Sequence, residues 1–548
     1  MQHHPYHIGA ANLQRMSTGL SCVVAVATLA ATVVWSGTAT AAPVDRLIIA
    51  VEPPAIDTNL YWTSASDISL FPALGRLIGN DAVTGEYSND GLAERWEANE
   101  DFTEWTFHLH PEAEWHFGFG PVTAADVIHS YELHTGDDVT QTAVAQLRGA
   151  EVEAIDDKTV RFTFEEPRVN FLFAVASRGS MLIYSKAQYD AEGIDGYVDR
   201  PAGTEHYQVV ERVSGQHIRF ERVEGHWSGT DAAFPEMEFR WTPEASTKLA
   251  GLLAGELHIT NLPRELQGDA TERGMEVLVS TNPSGHITAN FNGLYRRSGD
   301  PATNGELPWA DIRIREAMNR ALDRDVILDV LYAGRAEKVA VYGMGPNNEG
   351  YVPELEERFE AEYGYDPARA KELLAEAGYP DAFADPTIPI IVSQISGNPE
   401  VATLAELLDV FFRDIGLQTE MREIDWASMN AMGRGREAYV INPNRNAPVR
   451  PTEPFLSTWY TTDGSPNGGF EDDHIQDLTE RLMVTVDRDE RTLIASEAYT
   501  YLFEQYAEMP IAAIFAEMTV NPEIVTDWTF PGVTAGGMSH WHLITPAE

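Results

Sequence analysis

The stretch LAERWEANEDFTEWTFHLHPEAEWHFGFGPVTAADVIHSYEL, residues 92–133, carries the clearest single indication of the fold. Within it, Trp105, Phe107 and Leu109 alternate with polar residues. A period of two predicts a strand with one buried face. Pro111 follows, and proline favours a turn at the end of such a strand.

The same stretch raises the question of a metal site. His108 and His110 share the polar face of the predicted strand, and Glu114 and His116 follow shortly after it. Histidine and carboxylate side chains grouped in this way can bind zinc or nickel. The alternative is an ordinary strand whose polar residues face outward, and the pattern leaves both interpretations open.

Composition limits the class of protein. The chain has 548 residues, of which 43% are hydrophobic, so it can bury a large core and contains more than one structural unit. Its formal net charge is −47, and such a field repels nucleic acid and anionic membrane surfaces. We therefore expect no nucleic-acid partner. A surface this acidic also fits adaptation to salt, a hypothesis under which stability rises steeply in molar salt.

The N-terminal segment differs from the rest of the chain. Arg15 precedes the mostly small and apolar run STGLSCVVAVATLAATVVW, and ATAA follows at 39–42. This order predicts a secretory signal peptide, residues 1–41, with an uncleaved anchor helix as the alternative. The only cysteine, Cys22, lies inside it, which excludes disulfides and cysteine chemistry from the mature chain. We expect an exported protein, periplasmic or associated with the cell surface.

Strand and helix patterns alternate along the remainder. HYQVVERVSGQHIRFERVEG, 206–225, predicts a hairpin that turns at Ser214 and Gly215. DPARAKELLAEAGYP, 366–380, predicts a helix capped by Asp366 and ended at Gly378. DIRIREAMNRALDRDVILDVLYAG, 311–334, predicts one amphipathic helix. The fold class is therefore α/β with several domains.

Catalytic motifs do not stand out. The chain contains no GxSxG, HExxH, P-loop or GxGxxG sequence. With 85 acidic residues, pairs of carboxylates arise by chance, so a two-carboxylate glycosidase is neither indicated nor excluded. We expect no enzyme and no cofactor. A secreted glycosidase or other hydrolase and a nickel or zinc carrier remain the alternatives.

Residues 92–133 closely resemble a segment of the family 5 extracellular solute-binding proteins, the peptide- and nickel-type binding components of ABC importers. The shared pattern is LAxxW followed by PVTAxDVxxS. Three later segments resemble the family in order and spacing: AGLLAGELHI at 250–259, the stretch 311–336, and YDPARAKELLAEAGY at 365–379. The resemblance covers nearly the whole mature chain.

The resemblance implies a periplasmic-binding-protein-like clamp of two main lobes with a third lobe inserted. The first main lobe maps to 43–77, 200–288 and 515–548, the inserted lobe to 78–199, and the second main lobe to 289–514. The implied partners are a small-molecule ligand and the transmembrane permease subunits of an ABC transporter. We expect a monomer.

One of the departures from the family pattern bears on the ligand. Peptide binders of the family carry an aspartate that holds the α-ammonium of the peptide. In NPNRNAPVRPTEPFLSTWY, 442–460, that position falls at Ala447 or Pro448, and no acid is present there. A buried ammonium without a partner is costly, so the implied ligand is an atypical peptide or opine-like molecule, or an oligosaccharide.

The resemblance and residue chemistry together predict a set of ligand contacts. Arginine and asparagine bind carboxylates or hydroxyls, and aromatic rings stack on sugars or other rings. The predicted contacts are Tyr61, Trp62, Asn292, Tyr295, Asn444, Arg445, Trp459 and Tyr460.

Overall fold

The computed structural model describes residues 43–54, 56–63, 68–136, 139, 147–176, 181–295, 307–392, 400–446, 451–462, 469–533 and 537–548. The predicted signal peptide lies outside these residues. None of the helices in the described ranges has the length and apolarity needed to cross a bilayer.

Strands occur from the beginning to the end of the described chain. They are β1 Arg46–Val51, β2 Gly79–Asn80, β3 Tyr87–Ser88, β4 Ala93–Ala98, β5 Glu104–Leu109, β6 Glu151–Asp156, β7 Thr159–Thr163, β8 Tyr207–Val213, β9 His217–Arg222, β10 Glu236–Trp241, β11 Ile259–Thr260, β12 Glu276–Phe291, β13 Ala336–Glu337, β14 Thr387–Val392, β15 Gln418–Glu423, β16 Ile441–Asn446, β17 Glu508–Val520, β18 Val525–Trp528 and β19 Ile544–Pro546.

Helices lie between the strands and are most frequent in the second half of the chain. They are α1 Ala124–Thr135, α2 Phe171–Val175, α3 Lys186–Asp199, α4 Ala245–Leu253, α5 Arg264–Glu272, α6 Ile312–Arg320, α7 Arg324–Tyr332, α8 Pro353–Tyr363, α9 Pro367–Glu376, α10 Glu400–Ile415, α11 Trp426–Arg434, α12 Thr452–Tyr460, α13 Asp473–Val484 and α14 Arg488–Glu504.

One large mixed sheet organises the described residues. Its strand order is β15-β14-β16-β12-β17-β11-β1-β10-β9-β8, and β13 adds to β17. A separate antiparallel sheet, in the order β4-β5-β7-β6, contains the strand predicted from 105–109. The predicted burial is confirmed there, since Trp105, Phe107 and Leu109 are all buried.

Local sequence rules account for most of these elements. The hairpin β8–β9 turns at Gly215, whose φ is +72°, a conformation that glycine adopts readily. Helix α9 begins where Asp366 accepts the backbone N–H of Arg369. The single helix predicted for 311–334 is wrong: it is two helices, α6 and α7. Asp323 accepts the N–H of Val326 and so caps a new helix within the apolar pattern.

Three hydrophobic clusters form the main cores of the described residues. The first core cluster draws on 47–74, 182–259 and 516–544. The second core cluster draws on 77–202 and surrounds the small sheet. The third core cluster draws on 287–514.

Candidate functional site

Strands β12 and β17 connect the first and third core clusters. Leu278 and Met518 pack with the first cluster, whereas Phe291 and Met509 belong to the third. The two strands pair antiparallel along their length, with register shifts between Val279 and Gly285. Irregular pairing bends a strand locally, so these shifts mark where the two strands pass from one core to the other.

The third-cluster half of β12 separates apolar from polar residues. Ile287, Ala289 and Phe291 are buried in the third core cluster. The alternate positions His286, Thr288 and Asn290 are polar, yet they are buried as well. Because successive side chains of a strand point to opposite sides, the sheet has an apolar face and a polar face here.

Neighbouring strands extend the polar face. Thr288 lies opposite Asn444, and Asn290 lies opposite both Asn442 and Glu508. Side chains directly opposite each other in an antiparallel pair lie on the same side of the sheet. We define the polar face as His286, Thr288, Asn290, Asn442, Asn444 and Glu508.

Glu508 is held from two directions. Its carboxyl oxygens accept hydrogen bonds from the Tyr342 N–H at 2.9 Å and the Tyr460 hydroxyl at 2.9 Å. Burial raises the pKa of Glu508 to about 8, although both hydrogen bonds oppose that rise. A large part of Glu508 is therefore protonated at neutral pH, which lowers the negative charge of the polar face.

His286 and Thr288 also have partners. The Thr288 hydroxyl donates to the carbonyl of Met509 at 3.0 Å. The Nδ1 atom of His286 accepts the Gly343 N–H at 3.1 Å, and burial lowers the pKa of His286 to about 4, so this ring is neutral. Gly343 has a φ of +79°, and a Cβ there would lie 2.1 Å from the Phe455 ring, so this close approach requires glycine.

Asn442 and Asn444 differ from the rest of the polar face. Each residue is 2% exposed. The side-chain nitrogen of each is buried and has no hydrogen-bond acceptor among the described residues. Such nitrogens are rare in folded proteins, and each one costs about 1–3 kcal/mol. The two buried amides therefore require an explanation other than stability.

A small cavity lies at the edge of the polar face. Asn290, Tyr342, Trp459, Tyr460 and Glu508 contribute to its wall. Its volume is about 10 Å³, which is near the minimum that accommodates one water molecule. An organic solute therefore does not fit into this cavity in the present conformation.

The structure brings three of the sequence-predicted contacts to this region. Asn444 is part of the polar face. The Trp459 ring is partly exposed and meets Tyr342 edge-on at 5.8 Å. Tyr460 is buried and donates to Glu508.

Arg445 lies next to this group on β16. It follows Asn444 in the strand and pairs with Glu400 at 3.5 Å. Since successive residues of a strand point to opposite sides, Arg445 belongs to the other face of the sheet.

Asn292 and Tyr295 lie just beyond the end of β12 and are buried. The carbonyl of Asn292 accepts the indole N–H of Trp309 at 3.1 Å. The Tyr295 hydroxyl donates to the Ala438 carbonyl at 3.4 Å, and the Arg436 guanidinium lies 5.4 Å from its ring. Burial raises the pKa of Tyr295 to about 12.

Tyr61 and Trp62 are not brought to the polar face. Both are buried in the first core cluster. Trp62 packs on His134 and Tyr184, and the Tyr61 N–H donates to the Tyr184 hydroxyl at 3.0 Å. The proposed aspartate position, Ala447 or Pro448, lies outside the described residues.

The three histidines of the opening stretch have separate partners. His108 lies 3.4 Å from Glu97, and His110 lies 3.0 Å from the Asn89 carbonyl. His116 is buried and lies 2.7 Å from the carbonyl of Glu205. Within the described ranges, no three histidine, cysteine, aspartate or glutamate residues are placed to share a metal ion.

Sequence reasoning missed Asn442 and Glu508. The signal for Asn442 was present, because the alternation in INPNRN, 441–446, places it on the same side of the strand as Asn444. Glu508 had no local signal, since its partners Tyr342 and Tyr460 are 166 and 48 residues away.

Long strands of the mixed sheet join separate cores, as in the two-lobed clamp of the periplasmic binding proteins that the comparisons below support. Residues 89–467 match the family described as bacterial extracellular solute-binding proteins, family 5 Middle. The chain therefore belongs to family 5 of the bacterial extracellular solute-binding proteins.

Known proteins resemble the chain along most of its length. The dipeptide-binding protein of Escherichia coli (strain K12) is 24% identical over 489 residues, which cover 84% of this chain and 87% of the relative. The ABC transporter substrate binding protein CtaP from Listeria monocytogenes has a TM-score of 0.72 at 20% identity, covering 87% of this chain and 94% of CtaP.

A third similar protein was solved with a ligand. The periplasmic binding protein DppA from Helicobacter pylori, in complex with the peptide STSA, has a TM-score of 0.67 at 20% identity. The match covers 92% of this chain and 98% of DppA. These likenesses establish the clamp fold.

Proposed function

We propose that this protein is the substrate-binding component of an ABC importer, which captures a small organic solute outside the inner membrane and delivers it to a permease. The observation that carries the proposal is the family 5 match across 89–467, on a fold whose strands β12 and β17 link two separate cores. Capture and release require no chemical step, so the proposal includes no catalysis.

Closure in this proposal is a hinge motion. The first main lobe is 43–77, 200–288 and 515–548, the inserted lobe is 78–199, and the second main lobe is 289–514. Solute that binds the closed form more tightly than the open form shifts the population toward closure. The closed form then presents both main lobes to the permease subunits.

The favoured solute is a short peptide or a peptide-like molecule. Similar proteins carry dipeptide- and peptide-binding names, and the polar face offers amides that suit carbonyl and carboxylate oxygens. Residues 442–452 contain no acid, so the amino group of the solute is not held there by a carboxylate. An oligosaccharide is the alternative solute, with Trp459 as the ring on which a sugar stacks.

The test begins with protein purified from its exported fraction without refolding. We would denature it and identify the released small molecules by mass spectrometry. The control is the same preparation, unfolded and washed free of small molecules before the release step. We expect a peptide or an amino-acid derivative in near-stoichiometric amount. Release of a sugar instead would support the alternative solute, an oligosaccharide.

Weakly bound solutes are lost during purification, so a second measurement is needed. Washed protein would be screened by thermal unfolding against short peptides, sugars and metal ions. A ligand of the native state raises the melting temperature in proportion to the logarithm of its concentration above Kd. If the protein converted a bound solute into a product, the proposal of capture without catalysis would be wrong.

A further inference from the structure

We propose that Asn442 and Asn444 form a donor pair that binds an oxygen acceptor of the solute, either a carboxylate or a carbonyl group. This inference rests on the proposed function, because it names the part of the solute that the polar face recognises. We expect the solute group to be an acceptor, because the unpartnered atoms of the pair are donors.

The backbone places the two amides together. Asn442 and Asn444 are two residues apart on β16, so their side chains emerge on the same side of the sheet about 7 Å apart along the strand. Thr288 and Asn290 lie opposite them on β12. The pair therefore sits on a continuous polar strip that spans two strands.

The protein itself does not provide acceptors for the pair. In the described part of the chain, neither side-chain nitrogen has a hydrogen-bond partner, although both are buried. The Thr288 hydroxyl is already committed as a donor to Met509, and both oxygens of Glu508 already accept hydrogen bonds. The amides thus retain their donor capacity, which an oxygen atom from outside the chain can use.

The unpartnered atoms of the pair favour an acceptor over a cation. Two amide nitrogens present hydrogens and attract lone pairs, whereas an ammonium group has only hydrogens to offer. A site built from buried donors also discriminates strongly, because an analogue without the acceptor leaves those donors unpaired. The pair would therefore select solutes that carry a carbonyl or carboxylate oxygen at this point.

The chain contains a matched control. Asn319 is buried like the pair, but its side-chain nitrogen donates to the carbonyls of Arg315 at 3.2 Å and Glu508 at 3.1 Å. Replacement of asparagine by leucine keeps the approximate size and removes the amide. The same substitution thus removes satisfied hydrogen bonds at 319 and unsatisfied donors at 442 and 444.

The experiment compares Asn442→Leu, Asn444→Leu and Asn319→Leu in the full mature chain. Thermal unfolding without ligand should show a melting temperature for Asn442→Leu and Asn444→Leu that is equal to or above that of the native protein. Asn319→Leu should melt several degrees lower. A loss of stability in the pair variants comparable to that of Asn319→Leu would overturn the inference, because the amides would then be structural.

Binding is measured by titration calorimetry with trialanine and with trialanine amide. Each pair variant should bind trialanine about 10- to 100-fold more weakly, and Asn→Asp variants should bind it more weakly still. If only trialanine loses affinity, the acceptor is the terminal carboxylate; if both probes lose it equally, the acceptor is a backbone carbonyl. Unchanged affinity in every pair variant would overturn the donor pair and leave the proposed function intact.

The two proposals fail in different ways. If neither probe binds to the native protein and the thermal screen finds no other peptide that does, the favoured peptide solute of the proposed function is wrong. The unfolding comparison still decides whether the amides are structural. If Asn442→Asp or Asn444→Asp increases affinity for trialanine, the pair contacts the amino group of the peptide, and the inference is overturned.

Discussion

The two faces of the sheet around β12 share one backbone but differ in how their buried side chains are packed and hydrogen-bonded. On the apolar face, Ile287, Ala289 and Phe291 are fully packed in the third core cluster. On the polar face, Asn442 and Asn444 are equally buried, but their amide nitrogens lack acceptors in the described residues. A side-chain period of two lets one set of strands stabilise the fold on one side and reserve hydrogen-bonding capacity on the other.

The largest expected effect comes from the apolar face. Phe291→Ala should destabilise the protein by about 3–5 kcal/mol, because it removes a fully buried ring and leaves a cavity. Thr288→Val on the polar face should cost only about 1 kcal/mol, since it removes one hydrogen bond to Met509. Urea unfolding of the two variants measures both values, and equal losses would contradict the division between the faces.

The next effect is a pH dependence of stability that arises on the polar face. The pKa of Glu508 rises from its ordinary value of 4.5 to about 8, so the folded protein keeps a proton that the unfolded chain releases. The stabilising contribution is complete below pH 4.5 and is lost as pH rises toward 8, at up to about 1.4 kcal/mol per pH unit. Glu508→Gln should therefore be more stable relative to the native protein at pH 8.5 than at pH 5.

Chemical unfolding at those two pH values tests this effect. Glu517→Gln is the control, because Glu517 is a buried glutamate of the same strand whose carboxylate pairs with Arg335 at 3.0 Å. That variant should be less stable than the native protein at both pH values. A pH profile of Glu508→Gln parallel to that of the native protein would show that Glu508 is ionised throughout.

A third effect has the opposite sign and belongs to the first core cluster. Burial lowers the pKa of His134 from 6.5 to about 4, against the opposing hydrogen bond to the Ser130 carbonyl. The folded protein therefore excludes a proton that the unfolded chain binds, and stability is lost as pH falls from 6.5 toward 4. A fall in pH should therefore destabilise the first core cluster around Trp62. The same fall should favour the protonated form of Glu508.

Substitution of His134 measures this acid effect. His134→Leu should lose less stability between pH 6.5 and pH 4.5 than the native protein, by about 1–2 kcal/mol. His474→Leu is the control, because the His474 side chain is 41% exposed and lies outside the first core cluster. If both variants lost the same stability over that range, the acid effect would not arise from His134.

Sequence rules predicted elements whose causes are local. The hairpin at Gly215 and the capped helix α9 depend on residues within a few positions of each other. The break between α6 and α7 was missed because the apolar stripe continues through it, while the Asp323 cap is a competing local signal. The long apolar pattern thus outweighed the single capping side chain in the prediction.

The candidate site was less predictable, for a physical reason. Tyr61 and Trp62 have aromatic side chains suited to binding. Long-range contacts with His134 and Tyr184 nevertheless bury them in a core. Asn444 was predicted from its chemistry and from the family resemblance of the stretch 442–460. Among the described residues, its side-chain nitrogen lacks an acceptor. That property depends on how β12, β16 and β17 pair, and no single segment of the sequence determines the pairing.

The smallest expected effect concerns contacts between the second and third core clusters. Asn170, next to Phe171 of the second cluster, donates to Glu453 at 3.0 Å, and Glu453 lies in α12 near Phe455 of the third cluster. Asn347 donates to the Thr84 carbonyl at 3.0 Å, a second contact between the same regions of the chain. If the chain closes as proposed, these hydrogen bonds form only while the inserted lobe and the second main lobe are in contact, and they would favour closure.

Asn170→Ala should therefore affect the closing equilibrium more than the stability of either core. Hydrogen bonds contribute about 0.5–1.5 kcal/mol net of exchange with water, and we expect about 1 kcal/mol from this partly exposed pair. We expect trialanine affinity to fall about 2- to 10-fold with an unchanged melting temperature, and small-angle scattering of the ligand-free protein to show a larger radius of gyration. Asn99→Ala, at an exposed turn of the small sheet, is the control. An unchanged radius would mean that the Asn170 contact accompanies closure without stabilising it, and polar-face contacts to the solute would then have to supply the closing energy alone.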